Sequence, residues 1–304
     1  MISPGVSNCP TIELRSLDEL WFQVAGTVCN LTCHHCFISC SPHNHNFGFM
    51  SFGEVEAALL DSTDFGVREY YFTGGEPFLN KDLCRMLIRT LDFGPATVLT
   101  NGTVLKAEWL DELFAAEQSG PFSLEFRVSI DGPSAELNDP IRGTNTFDRA
   151  IHGVRLFCEA GFLPIITMTQ TWDDSESPKI LEDFRSVLKE YGCHRPRLKI
   201  LPRLKIGAEE HRTSGYEATE RVTPEMMEEF DRDQLLCHHS RVMTSRGVYV
   251  CPILIESPDA RIGDTLAESL KPFAMRHGAC YTCYQYGAIC TNSTLRPTEP
   301  QAAS

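Results

Sequence analysis

The chain has 304 residues, 42% of them hydrophobic and 22% charged, with 13 cysteines and a formal net charge of −14 at pH 7. That size can bury one large α/β core with a smaller lobe, or two modest domains. The negative balance opposes a polyanionic partner, since nucleic-acid affinity comes mainly from neutralised phosphates; only a local basic patch over residues 195–205 runs against this. No apolar run is long enough to cross a bilayer, and the N-terminus lacks the basic flank and apolar stretch of a signal peptide, so a cytoplasmic protein without a membrane partner is expected. In such a compartment the 13 thiols argue for metal ligation rather than disulfides.

Residues 1–18 read as an irregular lead-in, and the alternating run at 20–25 as the first strand. That strand delivers Cys29-Asn30-Leu31-Thr32-Cys33-His34-His35-Cys36 at its C-terminal end. Ser51 and Glu54 have the form of a capping box and open a helix through Leu60. A second strand is predicted at 68–72, followed by Thr73-Gly74-Gly75-Glu76-Pro77, and Leu83, Met86, Leu87 and Ile88 then fall on one helical face. The third strand, 96–100, ends in Asn101-Gly102, and a helix follows over about 106–116. The fourth, 124–130, ends in Asp131-Gly132 and precedes a helix at 147–160. A fifth strand at 162–169, a helix at 179–191 and a sixth strand at 197–201 complete six strand–helix units. Such alternation predicts a parallel sheet covered by helices, with chemistry at the C-terminal strand ends.

After residue 207 the pattern changes. A helix is predicted over 224–236, with Pro224 in its first turn, and Cys237, Cys251, Cys280, Cys283 and Cys290 then crowd a short stretch before a polar tail. The expected organisation is a lead-in (1–18), a barrel (19–207), a cysteine-rich lobe (208–292) and a tail (293–304).

Three thiolates at C-x₃-C-x₂-C spacing can hold three corners of an iron–sulfur cube and leave the fourth iron open, whereas electron-transfer cubes take four cysteines. By itself the run also fits a zinc knuckle. Gly74-Gly75-Glu76-Pro77 stands where a strand ends, and there glycine lets backbone approach a ligand closely while Glu76 offers a carboxylate for an ammonium. Together the two motifs resemble the radical S-adenosylmethionine (SAM) superfamily. The resemblance covers residues 19–205 and implies a partial (β/α)₆ TIM-like barrel. It implies a [4Fe–4S] cluster on Cys29, Cys33 and Cys36 whose open iron binds SAM, reductive cleavage to a 5′-deoxyadenosyl radical, and hydrogen abstraction from a substrate carbon. Carried over position by position, it sets Gly74, Gly75 and Glu76 against the methionine amino group and Ser129 and Asp131 against the ribose or methionine part. It sets Arg142 on the SAM carboxylate, with a surface ion pair as the alternative. Asn101 and Thr169 end strands and are either cavity residues or ordinary turn and strand polars; Leu201 and Pro202 are set against adenine. His34 and His35 are assigned to packing over the cluster, Cys40 to packing, and Cys9, Cys84, Cys158 and Cys193 to small buried hydrophobes. No residue is assigned to the abstraction step itself.

The C-terminal cysteines resemble, in truncated form, the SPASM and Twitch extensions of radical SAM enzymes, which hold auxiliary clusters. Five thiols suffice for one four-thiolate cluster, with Cys237, Cys251, Cys280 and Cys283 as ligands and Cys290 as an alternate; a zinc site on four of the same thiols is the competing reading. The implied activity is modification of a peptide or protein, with small-molecule dehydrogenation as the alternative and a non-catalytic iron–sulfur or zinc module as the remote one. A one-electron reductant such as flavodoxin or ferredoxin is implied. The first strand begins near Leu20, which leaves no room before it for a peptide-recognition domain, so a separate recognition protein is a possible partner.

Overall fold

The structure, a computed structural model, describes residues 9–287, 289 and 290. The tail expected over 293–304 lies outside the described residues.

Strand β1 (Thr11–Ile12) belongs to the segment read as an irregular lead-in. Six strands then alternate with helices: β2 (Glu19–Gln23), α1 (Phe52–Ser62), β3 (Glu69–Thr73), α2 (Leu83–Thr90), β4 (Ala96–Thr100), α3 (Ala107–Ser119), β5 (Leu124–Ser129), α4 (Ala135–Arg142), α5 (Thr146–Glu159), β6 (Ile165–Thr169), α6 (Ser177–Glu190) and β7 (Arg197–Leu201). The capping box is present at α1, with Ser51 and Glu54 satisfying each other's backbone donors. Helix α4 was not anticipated. Pro140, which reads as a helix breaker, lies inside it, and it sits in the linker between β5 and α5.

β2 to β7 pair in parallel and in chain order. Alternate residues divide the sheet between two cores. Leu20, Phe22, Phe72, Val98, Phe126, Val128 and Ile166 face the helices, where Phe126 meets Phe157 at 4.4 Å between ring centroids. Such an aromatic contact adds about 1 kcal/mol beyond its buried area. Trp21 and Tyr71 face the other way, stacked at 4.2 Å and 8°, into a second core that includes both groups of cysteines.

The C-terminal stretch departs from its prediction. No α-helix forms over 224–236; the chain instead makes short 3₁₀ turns at Glu225–Met227, Arg232–Gln234 and Leu236–His238. Asp231 accepts the backbone N–H of Asp233, a local bond that competes with helical pairing, while Met227, Leu235 and Leu236 are spent on the core. Beyond α7 (Ala208–Thr213), strand β8 (Ser240–Thr244) lies parallel beside β2, and β9 (Gly247–Tyr249) and β10 (Arg261–Gly263) extend the edge antiparallel. The result is one nine-stranded sheet in the order β10-β9-β8-β2-β3-β4-β5-β6-β7. Strand β11 (Phe273–Ala274) pairs with β1, and α8 (Gly278–Tyr286) follows.

Candidate active site

The cysteine loop leaves β2 and is held from three sides at the C-terminal strand ends. Gly75 packs so closely on it that a Cβ would stand 2.1 Å from the Val28 carbonyl oxygen and 2.7 Å from the Cys29 nitrogen. The Glu76 amide donates to that same Val28 carbonyl at 3.1 Å. The Ala208 amide donates to the Cys36 carbonyl at 2.9 Å, and the His34 amide to Ile141 at the end of α4, also at 2.9 Å.

Within the loop two of the three sulfurs already have N–H donors, while the Cys33 thiol lies 3.9 Å from the Arg142 carbonyl. Leu31 N–H lies 3.4 Å from Cys29 Sγ, Asn101 Nδ2 lies 3.7 Å from the same sulfur, and Cys40 N–H lies 3.2 Å from Cys36 Sγ. Burial pushes the Cys29 thiol up to about 12 and that of Cys33 up to about 11. Cys36 is drawn down to about 6, chiefly by the hydrogen bond from the Cys40 thiol. Buried thiols that carry N–H donors suit ligation by a cationic cluster, which takes thiolates and gains from hydrogen bonds to sulfur.

The Glu76 carboxylate meets the neighbouring strand end. It is fully buried and accepts from Phe78 N–H at 3.0 Å, Thr100 Oγ1 at 2.7 Å and Asn101 N–H at 2.7 Å, tying the end of β3 to that of β4. Burial raises it to about 7. Asp131 is likewise committed: His35 Nε2 stands at 2.8 Å, Arg142 Nε at 2.5 Å and the Thr169 amide at 2.7 Å. Burial alone would raise this carboxyl, but Arg142 and then His35 hold it well below the usual carboxylate range. Arg142 is therefore a buried ion-pair partner, not a surface one, and its guanidinium also acts on Cys33, Cys36 and Glu76. Ser129 meets Thr167 at 3.3 Å, and Leu201 closes β7 beside Thr169. His34 is exposed and His35 buried. Thus the structure brings Cys29, Cys33, Cys36, Gly75, Asn101, Asp131 and Arg142 around one loop, while Ser129 ends β5 and Leu201 ends β7.

The second thiol group lies at the opposite end of the sheet. Cys237 precedes β8, which runs with β2, and Cys251 follows β9, which runs against it. Cys280 and Cys283, one turn apart on α8, complete an apolar cavity with these two, walled by Leu236, Ile253 and Met275. Burial pushes Cys237 and Cys290 up to about 12, Cys251 to about 11, and Cys280 and Cys283 well above the ordinary thiol value. The Cys290 carbonyl accepts from Arg127 Nη1 at 2.5 Å, inside the sheet's concave face. Among the described residues no three His, Cys, Asp or Glu side chains stand at the spacing that a single metal ion requires.

Two residues that the motifs did not suggest contribute here. Arg241, 1% exposed, donates to the carbonyls of Cys237, Ser240, Ser269 and Lys271 at 2.7–3.1 Å and so fixes the backbone of a cavity cysteine. His35 reads in sequence as loop packing, and only its pairing with a strand end nearly a hundred residues away gives it a role.

A mostly parallel α/β sheet with three thiols at its strand ends, two of them carrying N–H donors, suits an iron–sulfur enzyme. The Radical SAM superfamily pattern matches residues 24–184, more than half of the chain, and the chain belongs to that superfamily of enzymes. The family implies a [4Fe–4S] cluster and SAM. The chain is 31% identical over 149 residues to an AdoMet-dependent heme synthase of Oleidesulfovibrio alaskensis, covering 48% of this chain and 37% of that protein. It is 27% identical over 167 residues to the mycofactocin maturase MftC of Mycobacterium tuberculosis, covering 54% and 40%. The chain thus spans about two fifths of the length of these curated relatives. In fold it is similar to Streptococcus suis SuiB bound to its precursor peptide SuiA, with a TM-score of 0.62 at 19% identity over 85% of this chain and 66% of that one. It is also similar to anSMEcpe with bound AdoMet, with a TM-score of 0.61 at 18% identity over 83% and 77%.

Proposed function

We propose that this enzyme cleaves SAM at a cluster held by Cys29, Cys33 and Cys36, that it carries an auxiliary [4Fe–4S] cluster on Cys237, Cys251, Cys280 and Cys283, with Cys290 as an alternate ligand, and that it modifies a carbon of a peptide or protein. When bound, the first cluster and SAM supply one-electron bond cleavage and hydrogen abstraction. The chain's own residues hold and shield these groups. The Gly74-Gly75-Glu76 turn presses on the ligand loop, Arg142 offers a cation for the SAM carboxylate, and the half-buried Leu201 offers an apolar edge for adenine. Glu76 acts through the backbone it anchors, because its carboxylate is already engaged.

One observation carries the two-cluster reading: a second set of buried thiols around an apolar cavity at the end of the sheet opposite the first. A fully cysteine-ligated cluster there would have no vacant position and would serve as an electron acceptor for substrate oxidation. The peptide assignment is supported by the maturase relative and by the fold shared with SuiB and anSMEcpe. A small-molecule substrate is the second reading, favoured by the relative named as a heme synthase.

Anaerobic reconstitution tests it. About eight iron per chain are expected, and about four iron with one tightly held zinc would support the zinc reading of the C-terminal thiols instead. Cys280→Ala with Cys283→Ala, shown folded by circular dichroism, should still form 5′-deoxyadenosine under dithionite but no oxidised product. Mass change in a short peptide encoded beside the gene would support maturation. Turnover of the peptide by the double variant would refute the role of the second cluster.

A further inference from the structure

The Asp131 carboxylate gathers segments that are remote in sequence. Its Oδ2 meets both His35 Nε2 at 2.8 Å and Arg142 Nε at 2.5 Å, and its Oδ1 takes the Thr169 amide at 2.7 Å. His35 stands between Cys33 and Cys36 in the ligand loop, Arg142 ends α4, and Thr169 ends the neighbouring strand β6. The carboxylate itself cannot drift: its own amide is bonded to Asn138 Oδ1 at 3.0 Å, and Asn138 in turn holds Thr146 at 2.9 Å. Its side chain is fully buried, and both oxygens already have donors. A group in this state has little left to offer a ligand directly. Arg142 differs, because among the described residues no hydrogen bond uses its Nη1 or Nη2.

We propose that Asp131 is a positioning residue that fixes the cysteine loop and the Arg142 guanidinium relative to each other, so that SAM affinity depends on His35 and Asp131 although neither touches SAM. This rests on the reading of the loop and Arg142 as the SAM site. The physical reason is that a SAM bound at both its iron and its carboxylate needs the two anchors at a fixed separation. Here that separation runs through one buried carboxylate. The backbone contributes in parallel, with His34 N–H on the Ile141 carbonyl at 2.9 Å and the Arg142 carbonyl 3.9 Å from Cys33 Sγ. The side-chain link is what sets the guanidinium itself.

The test is a double-variant cycle on SAM affinity, read by equilibrium dialysis on reconstituted protein and by the change that SAM causes in the electron paramagnetic resonance of the reduced cluster. Iron content and circular dichroism are measured for every variant. His35→Phe should retain iron yet bind SAM at least tenfold more weakly. In an Arg142→Lys background, which lacks the Nε leg, the same change should cost less than threefold, because the link is already broken. Asp131→Asn, where it folds, should match the His35→Phe, Arg142→Lys double variant. SAM binding by His35→Phe within twofold of wild type, or losses that simply multiply, would overturn the proposal. A wild-type protein that loads iron but binds no SAM would instead overturn the reading of the site itself, together with this proposal.

Discussion

Glu19 offers a test of the sheet's concave interior that is independent of turnover. It begins β2, is only 9% exposed, and among the described residues receives one long hydrogen bond, from Trp21 Nε1 at 3.4 Å, with His239 Nδ1 4.0 Å away. Burial, reinforced by Glu69 across the strand pair, raises its carboxyl from 4.5 to about 7, despite the Trp21 bond and the Arg127 cation. The folded protein therefore holds a proton that the unfolded chain releases. The favourable contribution is complete below about pH 4.5, declines as pH rises and is gone above about pH 7. At about 1.4 kcal/mol per unit the full swing is about 3 kcal/mol, an upper figure because denatured chains keep some structure. Glu19→Gln keeps the shape and removes the titration. Urea unfolding of wild type and variant under anaerobic conditions should give equal stabilities near pH 5 and a variant more stable by about 2–3 kcal/mol at pH 8. A difference that is flat across this range, or a variant less stable at pH 8, would refute the claim that Glu19 is a poorly compensated buried acid.

Two further outcomes follow from the geometry. Gly75→Ala would set a Cβ 2.1 Å from the Val28 carbonyl oxygen and must push it away, so it should lose about 3 kcal/mol of stability and the SAM-sensitive cluster signal while keeping the other iron; a variant that melts and binds SAM as wild type would show that the loop yields freely. Arg241→Met leaves four carbonyls without this donor, for a loss of about 3–5 kcal/mol, and iron should fall toward four per chain; unchanged iron would show that the Cys237 backbone holds its place without this clamp.

The sequence by itself determined the barrel half of this protein. Each of β2 to β7 is an apolar alternation closed by turn residues, and each of β2 to β6 is followed by a helical face, so local period and punctuation suffice; the third and sixth strands fall at the predicted bounds. The cysteine triplet and the Gly-Gly-Glu-Pro turn were also legible as motifs, because their spacing is local. Tertiary structure decided the rest. Strands β9 and β10 have three residues each, too short for any periodicity to show, and together with the five-residue β8 they extend the sheet from the edge that β2 leaves. The charged stretch at 224–236 satisfies helix spacing on paper, yet its apolar residues are drawn into the cavity wall and the core instead. The partners of Glu76 were hidden for a similar reason: its carboxylate, which reads as a partner for an ammonium, accepts from two backbone amides and the Thr100 hydroxyl, which only the fold brings near it. Asp131, His35 and Arg142 belong to three segments with no shared pattern. What unites them is desolvation, since a carboxylate buried at the end of β5 is tolerable only where the fold delivers cations and amides to meet it.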